Sequence, residues 1–288
     1  MMAQEMIGFS RAHANFITMK LSKTLFATLC LSLMSPAFSQ LPALQEKPWL
    51  GYFVGYQQRG FQFGVKADGK MVFEAKNKKG SFMGFDKAVN ITAEVVETVG
   101  GKAVVKQVIP ESLTTADKAT DKPKKATFRG KVTGDAEFEV VVEFDGDKIL
   151  MGGRLLSNGS LTNPLHFQIR VRHADVYAKM QADRIAEEAK KDEVKFVRLD
   201  KKKGKVELLE PIDFASEDVT GKGLAELSAE IKGYEGRVFE YAPLGDGLLT
   251  VENARGQAAP PRDGFSVLWR PDAAKDKEGK GRLQMIFK

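Results

Sequence analysis

Few residues in this chain have the type and spacing to do chemistry, and histidine is scarce. His166 and His173 stand seven residues apart, and the third histidine, His13, lies far upstream. That is too few, at the wrong spacing, for a zinc centre built from three or four nitrogen or sulfur ligands. His166 alternates with Gln168, Arg170 and Arg172, while Leu165, Phe167, Ile169 and Val171 occupy the positions between. On an extended chain each set shares one face. His166, Arg170 and Arg172 therefore form a candidate anion-binding row, because guanidinium matches carboxylate and phosphate geometry. The competing partners are internal: Glu139 or Glu143, should their strand lie alongside.

The carboxylates invite two further readings. Glu137, Glu139 and Glu143 resemble the paired acids of glycoside hydrolysis in type, but an exposed strand face lacks the pocket that would keep one protonated. Asp145 and Asp147 bracket Gly146 and suggest a hairpin turn; the ligand series and terminal glutamate of a calcium loop are absent. Gly80-Ser81-Phe82-Met83-Gly84 is one residue short before the serine for a nucleophile elbow. No phosphate-binding or dinucleotide glycine motif occurs. The sequence thus assigns no catalytic residue, no metal ligand and no cofactor.

Aromatic residues supply the remaining candidate. Trp49, Tyr52 and Tyr56 are interleaved with Gly51 and Gly55, which suits either a tightly curved core sheet or an aromatic surface for stacking on a sugar ring. Read as an unbroken strand, Leu50, Tyr52, Val54 and Tyr56 share one face. The candidate ligand-binding residues are accordingly Trp49, Tyr52, Tyr56, His166, Arg170 and Arg172.

The elements that must position these residues read as strands and turns. Glu137 to Asp145 carries Phe138, Val140, Val142 and Phe144 on one face and mainly acids on the other, a half-buried antiparallel strand. Asp68-Gly69, Asp145-Gly146 and Asn158-Gly159 mark turns. Pro110 to Ala126 is polar and reads as a long surface loop. After Arg172 comes the one helical pattern, Asp175 to Lys195: Ala178, Ala182, Ile185 and Ala189 form a narrow stripe, and Arg184–Glu188 and Glu187–Lys191 are spaced for helix ion pairs. The remainder is again strand-like, ending on alternating Phe265, Val267, Trp269 and Leu283, Met285, Phe287.

These patterns predict a mainly β protein of two β-rich domains, antiparallel sandwich or open barrel, joined by one long amphipathic α-helix. The divisions are a leader over 1–39, an N-terminal β-domain over 48–173, the helix over 174–195 and a C-terminal β-domain over 196–288. In the leader, Lys20 and Lys23 precede an apolar run from Leu25 to Met34, and Ala37-Phe38-Ser39 fits a signal-peptidase site. Met19 begins this signal in the usual way. The run is short for a permanent membrane span. Cys30, the single cysteine, falls inside it, so a mature chain from Gln40 would have neither disulfides nor thiolate sites. A net charge of +6, spread as lysines among acids, does not form a nucleic-acid footprint. The expectation is an exported periplasmic or extracellular protein, binding, scaffolding or associating with the envelope without catalysis. A glycan or envelope polymer is the first ligand class, and a protein docking on the helix the second. The alternative is a secreted carbohydrate hydrolase with an unrecognised carboxylate site.

Overall fold

The computed structural model describes residues 40–84, 87–174, 184, 187, 193–200, 204–211, 223–230, 234–253 and 263–288. Strands dominate them. The first ten are β1 (Tyr52–Gln57), β2 (Phe61–Lys66), β3 (Met71–Ala75), β4 (Val89–Val99), β5 (Lys102–Val105), β6 (Val108–Thr114), β7 (Lys125–Val132), β8 (Glu137–Asp145), β9 (Lys148–Ser157) and β10 (Leu165–Ala174). Then come β11 (Glu193–Asp200), β12 (Gly204–Pro211), β13 (Glu226–Glu230), β14 (Val238–Leu244), β15 (Gly247–Asn253), β16 (Asp263–Pro271) and β17 (Arg282–Phe287).

They form two antiparallel sheets. One has eight strands in the order β1-β2-β3-β4-β10-β16-β15, with β5 paired to the far end of β4. The other has nine, in the order β12-β11-β13-β14-β17-β9-β8-β7-β6. Period-two alternation gives each sheet an apolar inner face, and the two inner faces pack together. Phe63 of β2 meets Phe144 of β8 with ring centroids 5.7 Å apart, and Phe73 of β3 meets Phe287 of β17 at 5.2 Å. Phe138 of β8 and Phe167 of β10 close the same layer at 6.5 Å.

The expectation of two β-domains linked by a long helix is corrected by the strand order. β10 pairs with β16, setting Ile169 opposite Trp269 and Val171 opposite Val267. β9 pairs with β17, setting Met151 opposite Leu283 and Ile149 opposite Met285. Strands from both sides of the proposed linker therefore complete both sheets. The reason is burial: without β16 and β17, the apolar inner rows of β10 and β9 would end at open edges. The proposed helix itself falls almost wholly outside the described residues. Arg184 and Glu187 of it are described as single helical positions, its last residues Glu193 to Lys195 belong to strand β11, and no helical element is present among the described residues.

Local features follow the sequence more closely. Asp68-Gly69 turns β2 into β3, with Gly69 at φ 81°, and Asp145-Gly146 turns β8 into β9, with Gly146 at φ 60°. Asn158-Gly159 makes a turn that carries the chain from one sheet to the other, since β9 and β10 belong to different sheets. The segment read as a loop from Pro110 to Ala126 is strand at both ends, in β6 and β7. Its middle returns to β1, where Gly55 N–H donates to the Thr120 carbonyl and Thr120 N–H to that of Phe53.

Candidate functional site

The aromatic candidates separate at a β-bulge. The β1–β2 register slips between Tyr52 and Val54, so Tyr52 pairs with Lys66 while Val54 and Tyr56 pair with Val65 and Phe63. The slip moves Tyr52 to the outer face of the eight-stranded sheet and leaves Val54 and Tyr56 on the inner one. Trp49 folds over the outer face, edge-on to Tyr52 at 5.5 Å between ring centroids. Its ring occupies the space where a side chain at Gly55 would begin, 2.2 Å from an ideal Cβ there, and Tyr52 does the same at Gly64. Packed into this glycine track, Trp49 is only 6% exposed. Tyr56 instead crosses the sandwich: its hydroxyl donates to the Gly146 carbonyl at 2.7 Å, and its ring lies 4.6 Å from that of Phe144. The three residues do not form one aromatic platform.

The polar row on β10 does share the outer face. Gln168 and Arg170 converge on Glu94 of β4, with Gln168 Nε2 donating at 2.6 Å and Arg170 Nε at 3.1 Å to each carboxylate oxygen. Thr92 Oγ1 donates to the same carboxylate at 3.0 Å. Arg170 Nη1 reaches Glu252 of β15 at 2.9 Å. Desolvation pulls the guanidinium pKa down, but Glu94 and Glu252 more than offset it and raise the net value. Arg172 continues the row, half-buried. The expected partners Glu139 and Glu143 lie in the other sheet, where Glu139 pairs with Arg129 and Arg154 and Glu143 with Arg282.

His166 begins the row and lines a hollow of about 620 Å³ with Asp246, Leu248, Arg270, Pro271 and Asp272. Burial and then the Arg270 charge lower its pKa, opposed by a hydrogen bond with Gln168 and by Glu94. Its imidazole is therefore neutral near pH 7, offering one donor and one acceptor. Asp272 feels a desolvation that raises its pKa, yet the Ala274 and Lys275 N–H groups and the Lys275 ammonium bring it below the usual carboxylate range. Arg270 and Asp246 meet no ion-pair partner among the described residues. Sequence reasoning missed both. Arg270 had a signal, since it alternates with Phe265, Val267 and Trp269 and so faces outward beside β10; Asp246 read only as a turn residue.

A smaller and mainly apolar slot of about 300 Å³ opens beside β4, between Ala93, Val105, Val108, Leu113 and Phe128. Among the described residues no group of three histidine, cysteine or acidic side chains is placed to hold a metal ion.

No protein family and no curated protein matches this sequence. Among solved structures, a bacterial glucoamylase complexed with acarbose aligns with 87% of this chain at 9% identity and a TM-score of 0.41. The chain spans about a third of that enzyme's length, 34%. A GalM/aldose epimerase homologue from C. elegans aligns with 82% of this chain and 98% of its own length, at 8% identity and a TM-score of 0.40. At these values neither alignment assigns an activity to this chain.

Proposed function

We propose that this chain is an exported binding protein that holds a glycan or envelope polymer, without catalysis, in the hollow around His166. The observation that carries the reading is the mixed donor and acceptor set converging there: neutral His166, cationic Arg270 and anionic Asp246. A sugar hydroxyl both donates and accepts, so a wall offering guanidinium, imidazole and carboxylate can engage successive hydroxyls of one ring. Leu248, 38% exposed, and Pro271 give an apolar surface for the ring's C–H face. A hydrolase would need a carboxyl kept protonated beside the scissile bond. Asp272 is shifted in the opposite direction, so it does not supply that acid. Export rests on the basic, apolar and small-residue pattern from Lys20 to Ser39.

The test is a glycan array followed by calorimetry on the retained glycan. His166→Ala and Arg270→Ala are each expected to weaken binding about tenfold, with Asp246→Asn weakening it less. An array with no retained glycan, or affinities unchanged in both of the first two variants, overturns the reading. Mass spectrometry of the mature N-terminus checks export: material starting at Gln40 is expected, and material starting at Met1 refutes it.

A further inference from the structure

A second hollow, of about 650 Å³, lies at the other end of the eight-stranded sheet. It is lined by the β1–β2 turn (Gln58, Arg59, Gly60), the turn after β3 (Asn77 to Gly80), Arg237 before β14, Asp147 and Phe287. Antiparallel pairing puts the end of β3 beside the start of β4, far from the β10, β15 and β16 ends that frame His166.

Its charge is one-sided. Arg59, Lys78, Lys79 and Arg237 line it against a single carboxylate, Asp147. Glu235 stands beside them, its Oε2 accepting the Lys78 backbone N–H at 2.9 Å. Elsewhere in the strands Arg129, Arg154, Arg170 and Arg282 each meet a carboxylate within 3.4 Å. Arg59 and Arg237 meet none among the described residues.

Arg237 and the backbone of the lysine turn are also held in place. Arg237 lies over the Phe287 ring, 5.3 Å from its centroid, and Nη1 donates to the Gly60 carbonyl at 3.4 Å. That approach needs glycine, because an ideal Cβ at Gly60 would sit 2.3 Å from Nη1. Asn77 fixes the lysine turn: its side-chain carbonyl accepts the N–H groups of Lys79 and Ser81, both at 2.9 Å. Behind the wall Lys76 is only 6% exposed; its ammonium donates to the Gln58 carbonyl at 3.3 Å and lies 5.2 Å from the Phe82 ring centroid. No carboxylate meets Lys76 among the described residues, and burial draws its pKa down. Like charges gathered around one cavity repel, and a buried cation without a counter-charge is costly. An anion in the hollow offsets the repulsion among the cations that line it.

We propose that this hollow binds a small oxyanion of two or more charges, of the phosphoryl class. Two guanidiniums and two ammonium groups supply forked and point donors together, the set that engages the several oxygens of a diphosphate. Its volume admits such a group with room for a compact organic portion against Phe61 and Phe287.

The test is calorimetry of the intact chain with inorganic pyrophosphate at physiological ionic strength, with citrate and sulfate in parallel. Saturable pyrophosphate binding is expected, weakening steeply with added salt. The double variant Arg59→Ala/Lys79→Ala, changed only at exposed turn positions, is expected to lose at least about tenfold in affinity. Its ligand-free thermal midpoint is expected to stay put. Asp147→Asn is expected to bind more tightly. Absence of saturable binding up to about 10 mM pyrophosphate, or an unchanged affinity in the double variant, overturns the proposal. Tighter binding of citrate than of pyrophosphate overturns the phosphoryl class. His166→Ala is expected to leave pyrophosphate affinity unchanged, so this site and the glycan site stand or fall separately.

Discussion

β10 buries polar groups on both of its faces, and it does so in opposite ways. On the outer face Glu94 collects donors from Thr92, Gln168 and Arg170, and Arg170 shares its remaining charge with Glu252. On the inner face His173 lies between the sheets, stacked on Phe265 at 4.4 Å, with Nε2 sharing a 2.7 Å hydrogen bond with the Tyr241 hydroxyl. Its Nδ1 has no partner among the described residues. The outer group keeps its charges because each is matched. The inner pair stays neutral because nothing there would match a charge: burial lowers the His173 pKa to about 3, and burial, then the nearby Tyr234, raises that of Tyr241 well above its ordinary value.

The difference can be broken most forcefully on the outer face. Glu94→Ala leaves a largely buried guanidinium with one exposed partner, and is expected to cost about 3–5 kcal/mol in urea unfolding. Glu252→Ala, removing the exposed partner, is expected to cost less than about 1 kcal/mol. Equal costs would mean that Arg170 is stabilised by solvent instead of by Glu94.

The inner face is probed by acid. The native state keeps His173 neutral down to about pH 3, whereas the unfolded chain takes up a proton near the ordinary histidine value of about 6.5. The unfolded state binds more protons between those values, so stability present above pH 6.5 is lost as pH falls towards 3. Between pH 7 and pH 4 the loss from this group is expected to be on the order of 3 kcal/mol. His173→Phe combined with Tyr241→Phe should flatten that part of the profile. An unaltered profile would place the acid sensitivity elsewhere.

A smaller effect is expected at the aromatic end of the outer face. Gly55→Ala forces its Cβ into the Trp49 ring and is expected to cost about 1–3 kcal/mol, with the cost largely abolished in a Trp49→Ala background. The smallest change belongs to the exposed Arg129–Glu139 pair, where Arg129→Ala should shift stability by less than about 1 kcal/mol.

These faces were unevenly legible in the sequence. The division of β10 into inner and outer residues follows from alternation alone, as does the whole of β8, because side-chain direction is set within a few residues. The partner of Arg170 was not readable: Glu94 lies 76 positions away, and nothing local distinguishes it from Glu139 or Glu143. The same limit hid the pairing of β9 with β17 and β10 with β16, which replaced two domains with shared sheets. At β1 an unbroken alternation put Tyr52 with Tyr56, and one extra residue near Phe53 reversed it. Gly51 and Gly55 flanking Phe53 were the available sign of that irregularity. Arg237 lies 177 positions from Gly60, the neighbour of Arg59, and only the closed sandwich brings the two arginines together.

The position of β17 also bears on how the core closes. It lies between β14 and β9, in the middle of the nine-stranded sheet, although it comes last in chain order among the described strands. Until it arrives, β9 has a partner on one side only and the Phe61, Phe73 and Phe239 rings lack their contact with Phe287. Neither closing of the core nor completion of that sheet can precede the synthesis of β17. The fold is thus completed only once β17 has joined, through contacts of long sequence separation that form slowly.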